Sequence, residues 1–255
     1  MAVRKAELAG LAGAMLLGAT GTLTAWPARA GQPASPPASP LATPAPFTAT
    51  YAVEWHGINA GTSTLELTQT SPQSYLYTST DSASGVFRLV FPHAMRQSSR
   101  FRIVSGTVEP ITFEAAGPGN PVRAQFNWRS GEVTGTAKGK PLQLKLQPGT
   151  QDPLSVQIAI MLALRSGAAP ESFWMLNTDE IDRFQYERHG DSTVETALGR
   201  LRTILYTSHA RGSDKTTYLW LAPALDYMPA RAEQRVKGST QISLRIRAFR
   251  RDGAS

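Results

Sequence analysis

The stretch Asp152 to Ser166, DPLSVQIAIMLALRS, is the one long segment after residue 46 whose apolar residues do not alternate as they would in a strand. A helix built from it is apolar on nearly every face, so other elements have to cover it. Asp152 can cap this helix, Pro153 suits its first position, and Gly167 can end it in a left-handed conformation. The stretch therefore predicts a single buried α-helix at about residues 153–166.

On both sides of this helix the apolar residues recur at every second position. The clearest cases are Val122 to Trp128 and Ile242 to Arg247, where one face is apolar and the other polar. This pattern is typical of an antiparallel sheet with one face on a core, and about seven such strands precede and follow the helix. We predict a mainly β fold, in which one large twisted antiparallel sheet or half-open barrel wraps the helix. Two seven-stranded lobes with the helix at their junction are the alternative.

The N-terminal region predicts export. Residues 1–30 combine Arg4 and Lys5, an apolar run and the small-residue site Ala28-Arg29-Ala30, as in a cleaved signal peptide. An uncleaved membrane anchor is the competing interpretation, but the apolar run is shorter than the ~20 residues that a spanning helix needs. Residues 31–46 are rich in Pro, Ala and Ser, which indicates a linker. Residues 47–251 then form a single β-rich domain.

Composition narrows the function classes. The chain has no cysteine, which excludes disulfides, thiolate metal sites and a lipid-modified cysteine anchor. Loss of residues 1–30 removes three cations and one anion, so the formal charge falls from 26 minus 19, or +7, to 23 minus 18, or +5. A charge of this size does not indicate a nucleic-acid partner. We expect a periplasmic monomer with no transmembrane segment after signal cleavage.

The sequence carries no recognisable catalytic constellation. Its four histidines are scattered, and no pair has the spacing of metal ligands on one face. The acidic cluster Asp179, Glu180 and Asp182 fits a solvated loop better than an acid/base pair. We therefore expect no metal, no cofactor and no catalytic residue, and a protein that is not an enzyme.

Two groups of residues are candidates for a ligand site. The strand Arg96 to Ile103 places Arg96 and Arg100 on one basic face, which can meet an anionic headgroup. Trp128, Tyr218 and Trp220 combine a large contact area with a polar atom. If the sheet holds an acyl chain, these residues should line an internal apolar cavity of at least ~300 Å³. A well-packed interior is the competing expectation.

Six segments, in order along the chain, resemble a bacterial family catalogued as domain of unknown function 3108. They are FTATYAVEWHGINAG (47–61), SRFRIVSGTVEPITF (99–113), FNWRSGEVTG (126–135), PGTQDPL (148–154), ETALGRL (195–201) and LWLAPALDYMPAR (219–231). The resemblance implies an exported envelope protein and brings no known activity. The last segment also resembles a strand pair of periplasmic lipoprotein carriers, whose half-open barrels wrap a helix and hold acyl chains.

These observations favour a non-catalytic module that binds an apolar or lipidic ligand of the cell envelope. The alternative is a structural or assembly factor that binds another envelope protein. A hydrolase with a non-standard site is the third hypothesis.

The signal-peptide prediction has a direct test. The exported protein should begin near Gly31 and carry no lipid, because the cleavage site precedes this residue and the chain has no cysteine. Intact-mass measurement of the protein in the periplasmic fraction checks both points. A mass that includes Met1 would contradict the prediction.

Overall fold

The computed structural model describes residues 43–89, 91–117 and 121–251. The predicted signal peptide and residues 31–42 of the predicted linker lie outside the described residues. The division of the chain into signal peptide, linker and domain therefore stays a prediction. The strands of the described part begin at Phe47 and end at Arg251.

Fourteen strands, two short 3-10 turns and one α-helix make up the described part of the chain. The helix, α1, is Ser155–Arg165, and the 3-10 turns are Gly85–Leu89 and Pro223–Leu225. The strands, numbered β1 to β14, are Phe47–Trp55, Ile58–Ser71, Ser74–Ala83, Met95–Val104, Thr107–Ala116, Val122–Asn127, Glu132–Ala137, Lys140–Lys145, Ser172–Asn177, Glu180–Thr196, Gly199–Ala210, Lys215–Ala222, Met228–Val236 and Ser239–Arg251.

All fourteen strands belong to one open antiparallel sheet. Its order is β8-β7-β6-β5-β4-β3-β2-β1-β14-β13-β12-β11-β10-β9. The chain thus makes one meander of eight strands, forms α1, and then makes a second meander of six strands. The two meanders join where β1 pairs with β14, which brings the chain positions Phe47 and Arg251 together. The predicted mainly β fold with a single helix is confirmed, and the alternative of two separate lobes is wrong.

The helix α1 is shorter than residues 153–166: it begins at Ser155, with Leu154 at the N-cap, and the predicted first residue Pro153 lies in the preceding turn. Asp152 Oδ1 accepts hydrogen bonds from the N–H groups of Leu154 and Ser155, at 2.8 and 2.9 Å. These bonds form a turn ahead of α1, which explains why the helix begins at Ser155. At the other end Gly167 has φ +78°, and the N–H of Ala168 donates to the Ala163 carbonyl at 2.9 Å. This is the geometry of a glycine-terminated helix.

The strand β10 is longer than the sequence indicates. The alternation in the sequence predicts separate strands at 181–187 and 193–196, whereas Glu180–Thr196 is one continuous strand. Its pairing with β11 shifts register between Arg188 and Gly190, and Gly190 has φ +110°. A bulge at this glycine bends the strand without ending it.

The core lies between α1 and the concave face of the sheet. On β1 the alternating residues Tyr51 and Val53 are buried, and on α1 Ile158, Ile160 and Met161 are at most 1% exposed. Burial on both elements shows that the sheet covers the helix on several sides. The helix therefore fills the space that the curved sheet encloses.

The two edges of the sheet approach each other without pairing. Gln151, in the segment before α1, bridges to Met175 of β9, and its side chain donates to the Val108 carbonyl of β5 at 2.9 Å. Lys138 and Asp179, in turns at opposite ends of the sheet, form an ion pair of 2.9 Å. The sheet is therefore strongly curved but open along the side where residues 147–154 lead into α1.

Within the described ranges, no helix has both the length and the apolar character needed to cross a bilayer.

The buried position of α1 gives a stability prediction. Ile158→Asp should prevent cooperative folding, because an unpaired carboxylate at a fully buried site costs several kcal/mol against a total stability of about 5–15 kcal/mol. Leu89→Asp is the matched control, since Leu89 is 88% exposed. Thermal denaturation followed by circular dichroism checks both variants. Parent-like melting of Ile158→Asp would show that the sheet does not enclose the helix.

Candidate ligand cleft

A cleft of about 450 Å³ opens on the side where the two sheet edges approach α1. Its walls come from the β4–β5 turn, the segment that precedes α1, one face of α1, and the strands β9 and β10. The lining residues are Gly106, Thr107, Val108, Pro148, Gly149, Gln151, Ala159, Leu162, Ala163, Ser166, Ser172, Phe173, Trp174 and Arg183. Its volume lies within the ~300–1,000 Å³ that is typical of ligand sites.

The side of the cleft formed by α1 is apolar and includes two small side chains. Ala159, Leu162 and Ala163 are spaced by three and four residues, so they share one face of α1. The two alanines leave room that larger side chains would occupy. The same helix packs its large residues Ile158 and Met161 into the core. The distribution of side-chain size around α1 therefore determines which side is filled and which is open.

The one charged side chain among the lining residues is Arg183 of β10, at the outer rim of the cleft. Its guanidinium lies 5.9 Å from the ring centroid of Trp174 and donates to Ser172 Oγ at 3.0 and 3.2 Å. In the described part of the chain, no carboxylate forms an ion pair with Arg183. This cation is held in place at the cleft and is available to an anionic group.

Gln151 forms the floor between the two meanders. It is 2% exposed, and its Nε2 donates to the carbonyls of Val108 and Gly149 at 2.9 and 3.1 Å. Its backbone N–H donates to the Trp174 carbonyl at 2.8 Å. Its Oε1 is buried and accepts no hydrogen bond from the described residues. An amide oxygen without a donor can accept a hydrogen bond from a ligand.

Asp152 fixes the position of this floor. Besides capping α1, it accepts a hydrogen bond of 2.5 Å from Ser99 Oγ of β4 through Oδ2. Its own N–H donates to Ser155 Oγ at 2.9 Å. Burial raises the pKa of this carboxyl to about 6, and the hydrogen bonds from Ser99, Ser155 and Leu154 limit the rise. The carboxyl joins the helix start to the first meander.

The opposite face of α1 borders a much smaller cavity. The cavity between α1 and the concave sheet measures about 70 Å³, and Tyr51, Tyr77 and Tyr186 contribute to its lining. This volume is below the ~300 Å³ expected for an acyl-chain site. The expectation of a large internal cavity in that place is wrong, because the apolar side chains of α1 fill the sheet. The competing expectation of a packed interior describes this region.

The aromatic and basic residues singled out in the sequence do not come together. Tyr218 and Trp220 alternate with the buried Thr217, Leu219 and Leu221 on β12, so they lie on the outer face of the sheet. There Arg235 stacks 4.1 Å from the Tyr218 ring and Arg231 stacks 4.8 Å from the Trp220 ring. Both arginines donate to the buried Glu233. These aromatic and charged side chains on the outer face therefore bind one another.

The other three candidates also lie apart. Arg96 and Arg100 are exposed on the outer face of β4, and Trp128 is half-buried with its Nε1 donating to the Pro110 carbonyl at 2.7 Å. None of the five candidates lines the cleft or the small internal cavity. Ligand binding by these residues stays a prediction. Arg96 and Arg100 lie on the outer face of the sheet, whereas Trp128 packs against the core.

A scan of family models matches residues 50–245 to "Protein of unknown function (DUF3108)". The chain belongs to the DUF3108 family. The match confirms the resemblance seen in the sequence, and it includes every residue that lines the cleft of this DUF3108 protein. No curated protein matches the chain.

Three solved structures are similar to this DUF3108 protein at low sequence identity. MucB in complex with MucA(peri) is 12% identical with a TM-score of 0.36, and the match covers 83% of this chain and 52% of that chain. A protein with a YmcC-like fold from Bacteroides fragilis NCTC 9343 is 10% identical, with a TM-score of 0.34. The match covers 84% of this chain and 100% of that chain. An outer membrane lipoprotein-sorting domain from Vibrio parahaemolyticus is 10% identical, with a TM-score of 0.31. The match covers 83% of this chain and 87% of that chain.

The DUF3108 chain thus spans about half the length of the MucB chain that it matches.

Sequence reasoning missed the main cleft residues. Gln151, Trp174 and Arg183 carry no motif, and they meet only because the two sheet edges approach α1. One signal was present, since the PGTQDPL segment includes Gln151 beside the helix cap Asp152. The cap could be predicted from local sequence, whereas its contact with Ser99 could not.

The raised pKa of Asp152 gives a pH prediction. The folded state holds the proton more tightly than the unfolded state, whose pKa is near 3.8, so stability falls as pH rises from about 4 to about 6. Two pKa units correspond to roughly 3 kcal/mol. Asp152→Asn keeps the acceptor for the helix N–H groups and removes the titration, so it should abolish most of this loss.

Urea denaturation at pH 4.5 and pH 7 measures the effect. Asp191→Asn is the control, because Asp191 is an exposed partner of Arg188. An equal pH dependence in the parent and in Asp152→Asn would contradict the prediction.

Proposed function

We propose that this DUF3108 protein is a non-catalytic module that holds a polypeptide partner of the cell envelope in the cleft beside α1. The observation that carries the proposal is the contrast between the two sides of the helix. The side facing the sheet interior is packed, with a cavity of about 70 Å³, while the open side has a cleft of about 450 Å³ with mixed lining. A partner can reach the open side without displacing the core.

The mixed lining suits a protein partner. Ala159, Leu162 and Ala163 of α1 give the cleft an apolar side, and Ser172, Trp174 and Arg183 at the edge formed by β9 and β10 add polar and aromatic groups. Protein interfaces combine apolar contact with a few fixed polar groups, and Trp and Arg are enriched among residues that contribute most to binding. This lining therefore favours the assembly-factor hypothesis over the acyl-chain hypothesis that the sequence placed first.

The cleft residues suit binding without catalysis. The described residues that line the cleft include no carboxylate and no imidazole. General acid–base catalysis needs a group that can exchange a proton within hydrogen-bond reach of the substrate. Asp152 lies close in sequence, but it is fully buried and engaged with Ser99 and the helix start.

The envelope setting rests on the sequence. A signal-peptide pattern precedes the domain, and the linker that follows can separate the domain from a membrane surface. We propose a periplasmic location on these grounds.

A lipidic ligand is the second candidate. The cleft volume is within the range of small-molecule sites, and Arg183 can pair with an anionic headgroup. In this case an acyl chain would lie on the alanine face of α1. The two candidates differ in what contacts Ala163.

Site-specific photo-crosslinking distinguishes the candidates. Ala163→p-benzoylphenylalanine should crosslink to a protein when cells are irradiated, whereas the same group at the exposed outer-face residue Ala248 should not. A lipid adduct at position 163 would favour the second candidate. No adduct at position 163 would contradict a ligand site in the cleft.

A variant that fills the cleft tests the same site by its effect on binding affinity. Ala163→Trp should weaken binding of the crosslinked partner by at least about tenfold, a change of about 1.4 kcal/mol. Ala248→Trp should leave the affinity unchanged. Both variants should melt close to the parent, because neither residue is fully buried.

A further inference from the structure

β9 is an edge strand whose second side is only partly covered. β10 pairs with one side. On the other side, Gln151 N–H donates to the Trp174 carbonyl at 2.8 Å, and Leu176 N–H donates to the Gln151 carbonyl at 2.9 Å. This isolated parallel bridge covers the C-terminal half of β9 and leaves the N-terminal half beside the cleft.

Strand geometry fixes which backbone groups remain open. The N–H and C=O of one residue in a strand point to the same side, and successive residues alternate. Because the Trp174 carbonyl points away from β10, the Trp174 N–H and both backbone groups of Ser172 point the same way. These three groups make no backbone hydrogen bond with the described residues. The cleft is therefore bordered by two backbone donors, the N–H groups of Ser172 and Trp174, and one backbone acceptor, the Ser172 carbonyl.

The chain itself cannot extend the bridge along this edge. Two residues before Gln151 the chain turns away at Gly149, which has φ +72°. Pro148 and Gly149 consequently line the cleft instead of pairing with Ser172. An unpaired stretch of edge strand is a template for another extended chain.

We infer that the partner enters the cleft as an extended segment and pairs its main chain with Ser172 and Trp174 of β9. The inference rests on the proposed function and names the form that the partner takes. Gln151 shows that this edge accepts a strand residue from outside the meander. Addition of a strand to an exposed edge is a recurring mode of peptide recognition.

The two faces of β9 determine the side chains of such a segment. Residues of an added strand point alternately to the two faces of the sheet. On the helix side, Ala159, Leu162 and Ala163 offer an apolar surface. On the outer side, Arg183 stacks on Trp174 and has no carboxylate partner in the described part of the chain. The segment should therefore alternate apolar and acidic residues.

A second copy of this chain does not fit the edge. The other edge strand, β8, carries Lys140, Pro141 and Lys145; Pro141 lacks an N–H, and the lysines would add positive charge to an edge that already carries Arg183. Pairing of β9 with β9 from another copy would bring two Arg183 side chains to one edge. Like charges opposite each other destabilise a strand pair. The occupant is thus a segment of a different protein.

A lipid is less complementary to this edge than a peptide. An acyl chain that covered Ser172 and Trp174 would leave their backbone groups without water or a partner, which costs free energy for each group. A peptide main chain supplies matching donors and acceptors.

A peptide library tests the inference on the intact mature protein. The probes are acetylated, amidated heptapeptides with valine at alternate positions and the remaining positions randomised, and retained peptides are identified by mass spectrometry. Glutamate and aspartate should be enriched at the randomised positions. Arg183→Gln should remove this enrichment. Arg188→Gln is the control, since Arg188 pairs with Asp191 outside the cleft.

Backbone methylation separates strand addition from side-chain recognition. The best peptide is resynthesised with N-methyl groups along one edge, and separately along the other. One version should bind at least about tenfold more weakly than the parent peptide, because it loses main-chain hydrogen bonds to β9. The other version should bind like the parent. Equal affinity of all three peptides overturns the inference.

The remaining outcomes separate the inference from the proposed function. If no heptapeptide is retained but Ala163→Trp still abolishes binding of the crosslinked partner, the cleft binds its partner in another form and the inference is overturned alone. If Ala163→Trp has no effect on that partner either, the proposed function fails as well. A fluorescent fatty acid that binds the parent but not Ala163→Trp, without peptide retention, replaces both with the lipid candidate.

Discussion

The need to cover a helix that is apolar on nearly every side is the constraint on which this structure depends. Such a helix cannot lie on the surface of a sheet with one face in water, because its outer residues would remain exposed. A strongly curved sheet of fourteen strands covers it on several sides. The sheet need not close, since α1 itself occupies the space between its two ends.

On the open side of the sheet, the residues that support the fold also support the cleft. Residues 147–154 have to pass between the edges to reach α1, and they bring Gln151 and Asp152 with them. Gln151 joins β5 to β9, while Asp152 joins β4 to the helix start. Both side chains are almost completely buried. The cleft is therefore supported by hydrogen bonds that also hold the two meanders together.

Burial of Asp152 has a cost that its hydrogen bonds only partly offset. Removal of a carboxylate from water favours the protonated form, which is why its pKa rises to about 6 despite the bonds from Ser99 and the helix N–H groups. A neutral residue would avoid this cost. From this position a single carboxylate binds both the N–H groups at the start of α1 and Ser99 of β4.

The sequence by itself determined the elements of this DUF3108 protein, because those depend on local patterns. Period-two alternation identified the strands, and Asp152 and Gly167 marked the ends of α1. Only the tertiary structure decided the cleft, since Gln151, Trp174 and Arg183 come from segments that meet when the edges curve around the helix. It also placed Tyr218 and Trp220 on the outer face, because an aromatic residue has the same local pattern on either face of a strand. Which face is covered depends on the position of α1, and no single strand contains that information.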